Sequence, residues 1–186
     1  GGTGLAIARR MATTDLPQTV AGFHALVGGA AVLTSAAAAL AGGAPDALHT
    51  AATVAGTVIG AITLTGSAVA YGKLAGHLPS APLALPGKNA INLGLAGLTG
   101  LAGASAFSAG DAAGVATSLA AATASASLLG AHTTASIGGA DMPVVVTLLN
   151  SYSGYALCAE GFLLGNDLLT SVGALIGASG GILSYI

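Results

Sequence analysis

Three polar side chains stand out because each lies inside a long apolar segment: His24, Ser67 and Asn150. A rise of 1.5 Å per residue from the charged or proline-marked end of each segment places them about 12, 9 and 10 Å deep, all counted from the same side. A histidine titrates near neutral pH, and amide and hydroxyl groups can both donate and accept hydrogen bonds. One layer with these three groups predicts a proton relay.

A purely structural role is the alternative for each residue. Membrane helices often use serine and asparagine only to hydrogen-bond a neighbouring helix, and we favour that explanation for Ser67 taken alone. A functional role is favoured for His24, because other side chains could play a purely structural role there at a lower cost than a buried imidazole. Asn150 lies between these cases, and its matching depth favours function.

Further acidic residues lie near the ends of apolar segments. Glu160 lies about 15 Å beyond Asn150, toward the opposite side, where Asp46 and His49 would flank an outer mouth. Asp15 and Asp141 precede the segments that carry His24 and Asn150. These two carboxylates are consistent with helix capping and with coupling to another domain.

The elements that position these residues follow from composition. Of 186 residues, 54% are hydrophobic and 5% are charged, whereas soluble domains carry about 25% charged residues. Such a chain cannot cover a water-facing surface, so its outer face must contact the lipid bilayer. A net charge of −2 without a basic run excludes nucleic acid as a partner. The 30 glycines predict closely packed helices.

We therefore predict an all-α polytopic bundle of about six spanning helices, each needing about 20 apolar residues. Residues 1–10 are interpreted as the tail of a preceding helix, and 42–46 as a turn. The whole chain, 1–186, is expected to be one transmembrane domain fragment without nucleotide-binding domains. The predicted spans are 16–41, 48–72, 89–108, 112–134, 143–164 and 168–186.

The basic residues fix the orientation. Counting crossings puts all four of them on one side: Arg9, Arg10, Lys73 and Lys88. Positive residues favour the cytoplasm or the mitochondrial matrix. We call this the inner side and the other the outer side.

Several kinds of site are excluded. Cys158 is the only cysteine, so neither an intrachain disulfide nor a cysteine-based metal site can form. Residues 2–6 imitate part of a dinucleotide fingerprint, but neither a preceding strand nor a βαβ unit accompanies them. We expect no cofactor or metal bound by this fragment. No period of 20–50 residues repeats convincingly.

Three stretches, 8–33, 64–93 and 135–186, resemble the membrane domain of proton-translocating NAD(P) transhydrogenase, in its β subunit or the equivalent part of the single-chain mitochondrial form. The uninterrupted run MPVVVTLLNSYSGY, which begins at Met142, is especially specific. The resemblance implies that domains outside this chain bind NAD and NADP and transfer hydride, while the membrane domain carries protons inward. It also implies a homodimer of the full complex, built with further membrane helices.

The resemblance also assigns residues. The family's channel histidine falls on His24 in FHALVG, its channel asparagine on Asn150 in LLNSYSG, and its channel serine on Ser67 in LTGSAVAYG. The aspartate of GGADMP, linked in the family to communication with the NADP domain, falls on Asp141. Asp15 is a second candidate for this coupling.

The chain also departs from its bacterial relatives. They often have Glu where this chain has Ala51-Ala52, and Ala where it has Glu160. Glu160 is therefore the candidate carboxylate of an outer half-channel. The stretch ALCAEGFLL resembles the mitochondrial form, which favours the mitochondrial inner membrane over a bacterial cytoplasmic membrane. The alternative functions are a secondary transporter of a small solute and a structural membrane scaffold for a partner subunit.

Overall fold

A computed structural model describes residues 1–41 and 46–186, and these residues form helices and their connections without a strand. Positions 42–45 of the predicted turn lie outside the described residues. The predicted all-α class is confirmed. The helices are α1 Gly2–Arg10, α2 Leu16–Leu40, α3 Ala47–Leu74, α4 Lys88–Ser108, α5 Ala112–Ala135, α6 Met142–Leu163 and α7 Asp167–Tyr185.

The six helices α2 to α7 are each long and apolar enough to cross a bilayer. Their ends fall close to the ends predicted from proline and charged residues. Large apolar side chains such as Leu26, Leu33 and Leu101 point outward, each about 70% exposed, as lipid-facing positions require. The chain is an integral membrane protein.

Helices α2 and α6 begin in the same way. A short 3-10 turn, Thr13–Asp15 or Gly139–Asp141, leads directly into each helix. Pro17 and Pro143 then occupy the first turn. Backbone nitrogens there have no acceptor within the helix, so proline removes no hydrogen bond. The matching sequence sets the same backbone course at the start of both helices.

This likeness extends along both helices at a separation of 126 positions. Asp15, Pro17, Val20, Gly28 and Ala30 correspond to the same residue types at 141, 143, 146, 154 and 156. Helix α2 packs extensively on α3, and α6 packs extensively on α7. The bundle therefore contains two closely packed helical hairpins, α2–α3 and α6–α7, whose first helices are alike. Their wide separation in the chain lies beyond the 20–50-residue periods considered in the sequence.

Glycine brings the helices of each hairpin into backbone contact. A Cβ atom placed on Gly28 of α2 would lie 2.5 Å from the Leu64 backbone nitrogen and 2.6 Å from the Gly60 carbonyl oxygen of α3. A Cβ on Gly173 of α7 would lie 2.7 Å from the Gly154 carbonyl oxygen of α6. Only glycine fits such positions without separating the helices.

The inner side of the bundle is tied together by backbone hydrogen bonds. The connection between α3 and α4 donates from Leu83 N to the Ala135 carbonyl (2.9 Å) at the end of α5. In return, Gly139 N donates to the Ser80 carbonyl at 2.8 Å. These bonds join the α3–α4 connection to the turn that carries Asp141.

Candidate functional site

His24 and Asn150 meet between α2 and α6. The His24 Nε2 atom lies 3.1 Å from the Asn150 Oδ1 atom. If Oδ1 is the acceptor, the ring must donate from Nε2, and Nδ1 is left to bind a proton or to accept a hydrogen bond. Both residues are half-buried. The two residues that matching depth predicted to share a layer are in direct contact.

The second ring nitrogen of His24 is buried and has no hydrogen-bond partner within the described part of the chain. A buried polar atom without a partner is unfavourable by about 1–3 kcal/mol. Such atoms in native proteins commonly bind water or an exchanging proton. The Nδ1 atom is thus the end of the ring that can take a further partner, and Asn150 contacts the other end.

Ser67 on α3 is fully buried, and its hydroxyl likewise lacks a partner among residues 1–41 and 46–186. Within the described residues, no hydrogen bond joins it to His24 or Asn150. Toward the inner side, an apolar cluster includes Ala21, Ala70 and Met142. The part that Ser67 plays in the predicted layer stays a prediction.

Glu160 lies further out on α6, half-buried, with the side chain of Thr34 on α2 as its polar neighbour. Thr34 also lines a cavity of about 800 Å³ at the outer ends of α2, α3 and α5. Asp46, His49 and Asp111 line the same cavity. The Asp46 carboxylate has a local role as well, because it accepts the His49 backbone N–H at 2.6 Å and caps α3.

Asp15 and Asp141 occupy equivalent positions at the inner ends of α2 and α6. Within the described residues, neither carboxylate accepts a capping hydrogen bond from the helix that follows it. Asp141 is exposed and Asp15 is half-buried. Helix capping, one of the two explanations considered for these residues, does not account for either carboxylate.

The family model described as NAD(P) transhydrogenase beta subunit matches residues 1–186. This chain belongs to the NAD(P) transhydrogenase beta subunit family. Two curated relatives named NAD(P) transhydrogenase subunit beta, from Rhodospirillum rubrum and from a specified strain of that species, are each 43% identical over 194 aligned positions. The alignments cover 100% of this chain and 41% of each relative. The chain thus spans less than half of their length.

Sequence reasoning missed a buried lysine of this family member. Lys73 is only 6% exposed, and its ammonium group donates to the carbonyls of Ala81 (3.2 Å), Ala135 (2.7 Å) and Ile137 (2.6 Å). The sequence alone indicates only that Lys73 is a positive charge on the inner side. The available signal was its position near the end of a span, where a C-terminal lysine can bind free carbonyls.

A second histidine–asparagine pair was also missed in this transhydrogenase family member. The His132 Nδ1 atom of α5 lies 2.6 Å from the Asn92 Oδ1 atom of α4. The His132 Nε2 atom is buried without a partner in the part of the chain that the structure describes. Both residues lie near the inner helix ends, so this pair joins α4 to α5 rather than α2 to α6.

Proposed function

We propose that this chain is the proton-conducting membrane part of a proton-translocating NAD(P) transhydrogenase. Inward proton movement would be coupled to hydride transfer from NADH to NADP⁺ in domains outside this chain. The observation that carries the proposal is the contact between His24 and Asn150, in a chain that belongs to the transhydrogenase beta subunit family. An imidazole is the side chain best suited to exchange protons near neutral pH.

His24 accepts a proton at Nδ1 from one side of the membrane and releases it to the other. Asn150 holds the Nε2 end of the ring, and Ser67 orders the water that reaches it. Glu160 is the carboxylate on the outer half of the route. These roles are supported by the depth of the four residues and by the unpartnered atoms of His24 and Ser67.

Protonation of His24 alone does not pump, because net transport needs access that alternates between two states. We propose that Asp15 and Asp141 pass the nucleotide state of the NADP-binding domain to α2 and α6. This role is supported by the position that Asp15 and Asp141 share, directly before the two helices that hold His24 and Asn150. The 3-10 turns that carry them would shift the helices that they precede.

The complete enzyme would use NAD and NADP as its nucleotides, held by domains beyond this chain. Its partners would be the NAD- and NADP-binding domains, other transhydrogenase membrane helices and a second copy in a homodimer. The stretch 156–164 supports a mitochondrial inner membrane, whereas the relatives from Rhodospirillum rubrum support a bacterial cytoplasmic membrane.

The test is proton uptake into vesicles that contain the full complex, with nucleotide turnover followed in parallel. We expect His24→Ala to lower both by about a hundredfold or more, as for loss of an acid–base group. The control is His77→Ala, which removes an exposed imidazole on the inner side. Full proton-coupled turnover in an assembled His24→Ala complex would contradict the proposal.

A further inference from the structure

A second polar layer lies on the same three helices that carry His24, Ser67 and Asn150. It comprises Ser35 on α2, Thr57 on α3 and Glu160 on α6. Each lies ten or eleven residues further toward the outer side, which is about 15 Å along a helix. The two layers therefore share helices and differ in depth.

The hydroxyls of the outer layer are unusual for their surroundings. Ser35 is 0% exposed and Thr57 is 2% exposed, yet neither hydroxyl has a hydrogen-bond partner among the described residues. Buried hydroxyls on membrane helices normally bond back to a carbonyl one turn earlier. Thr63 on α3 does so, donating to Ile59 O at 2.7 Å. Two unpartnered hydroxyls indicate a bound polar molecule.

Contacts bring the outer layer together at the junction of α2, α3 and α6. A Cβ atom placed on Gly56, which precedes Thr57, would meet Ser35 and would lie 3.9 Å from the Ala159 Cβ. Glu160 follows Ala159 directly, and its polar neighbour Thr34 precedes Ser35. Ser35 thus lies at this junction, and Thr34, Thr57 and Glu160 are sequence neighbours of the residues that meet there.

The junction has polar neighbours toward the outer side. Outward, Thr34 and Thr53 line the cavity of about 800 Å³. Inward, the backbone contact between Gly28 and Gly60, flanked by fully buried Ala31, closes the α2–α3 interface between the junction and the His24 layer. Such close backbone contact leaves no room for water between these two helices.

We propose that Ser35, Thr57 and the Thr34–Glu160 pair form an outer water-binding site, supplied from the outer cavity and separated from His24 by the contact between Gly28 and Gly60. The site rests on the proposed function, of which it forms the outer half. A hydronium ion in the site transfers its proton to the Glu160 carboxylate and remains as water. The protonated carboxyl group holds that proton until a shift of α6 against α2 gives it a path to the His24 layer.

The internal likeness of α2 and α6 supports this site independently. Thr34 and Glu160 are 126 positions apart, the same separation as His24 and Asn150. Each layer thus places one equivalent pair on α2 and α6, and α3 carries an unpartnered hydroxyl at each depth among the described residues, on Ser67 and on Thr57. The outer layer repeats the arrangement of the inner layer.

The first arm of the test compares Thr57→Val with Thr63→Val in proteoliposomes of the full complex. Both substitutions remove a buried hydroxyl from α3, but only the Thr63 hydroxyl is satisfied by the protein. We expect Thr57→Val and Ser35→Ala each to lower proton uptake per assembled complex about tenfold, the effect of one lost hydrogen bond in the transfer step. Thr63→Val should leave uptake unchanged. Equal effects of Thr57→Val and Thr63→Val would overturn the site.

The second arm is an electron cryo-microscopy map of the complex in which ordered water is resolved. We expect density within hydrogen-bond distance of Ser35 Oγ and Thr57 Oγ1, and its loss in the Ser35→Ala, Thr57→Val double variant. Dry apolar contact around both hydroxyls would overturn the site, and density without any effect on uptake would overturn its place on the route.

A His24→Ala sample separates this failure from failure of the proposed function. If His24→Ala stops uptake while Thr57→Val and Ser35→Ala do not, only the outer site is wrong. If uptake persists in His24→Ala, the proposed function fails whatever the map shows.

Discussion

His24 and Asn150 face each other from equivalent positions of two related helices. Each lies nine residues after the aspartate that ends a 3-10 turn, and their side chains approach to 3.1 Å. Because both helices start on the inner side, equivalent positions lie at the same depth. Thr34 and Glu160, which are also equivalent positions, repeat this relationship further out.

The pair predicts a specific effect of Asn150→Ala. Removing the amide leaves both ring nitrogens of His24 without a partner and frees the ring to rotate. We expect proton uptake to fall about tenfold or more, because a positioned hydrogen bond is lost at the transfer site. Vesicle proton uptake per assembled complex is the measurement. Wild-type uptake would show that Asn150 only joins the helices.

The matched substitution Asn92→Ala should behave differently. It removes the amide from the other histidine–asparagine pair, which joins α4 to α5. We expect the free energy of unfolding to fall by about 1–2 kcal/mol, with unchanged proton uptake per folded complex. Thermal unfolding in detergent and vesicle uptake measure the two quantities. A loss of uptake equal to that of Asn150→Ala would place His132 on the route as well.

Lys73→Met should destabilise the inner side of the bundle. The substitution leaves the carbonyls of Ala81, Ala135 and Ile137 without their shared donor. Hydrogen bonds to a charged group contribute about 1.5–3 kcal/mol, so we expect a loss of about 3 kcal/mol. Lys88→Met is the control, because Lys88 is exposed on the same side. Equal unfolding temperatures for the two variants would refute this role.

Gly28→Ala tests the backbone contact between α2 and α3. Its Cβ would lie 2.5 Å from the Leu64 nitrogen, so the helices must separate, and we expect destabilisation of about 1–3 kcal/mol. Gly29→Ala is the matched control, since its Cβ would lie 3.7 Å from the Leu64 Cδ1 atom, an ordinary contact. Chemical unfolding of both variants measures the difference. Indistinguishable curves would contradict this packing.

The sequence predicted the helices well because charged residues, prolines and glycines mark their ends. The depth of His24 and Asn150 also followed from the sequence, since both helices start from a proline on the inner side, but their direct contact did not. Their role in proton transfer stays a prediction. Depth could not show that Ser67 lacks a direct bond to the pair, because depth says nothing about which way a side chain turns around its helix.

Other features needed three-dimensional information. Counting basic residues treats every lysine as a solvated charge, so the burial of Lys73 among three carbonyls could not be anticipated. Glycines occur in every helix, and the sequence does not show that Gly28 meets Gly60. Ser35 and Thr57 resemble the many hydroxyls that bond back to their own helix, and only the structure shows that they do not.

The glycine contacts also determine which helices of the bundle can move relative to one another. Helices α2 and α3 are joined backbone to backbone, as are α6 and α7, so each hairpin behaves as one stiff plate. Helix α6 packs extensively on α3 as well, but much less extensively on α2. The α2–α6 interface is therefore the part of the contact between the plates where a shear would disrupt the least packing. Such sliding would change the register between α2 and α6. It would bring His24 next to different residues without unwinding a helix.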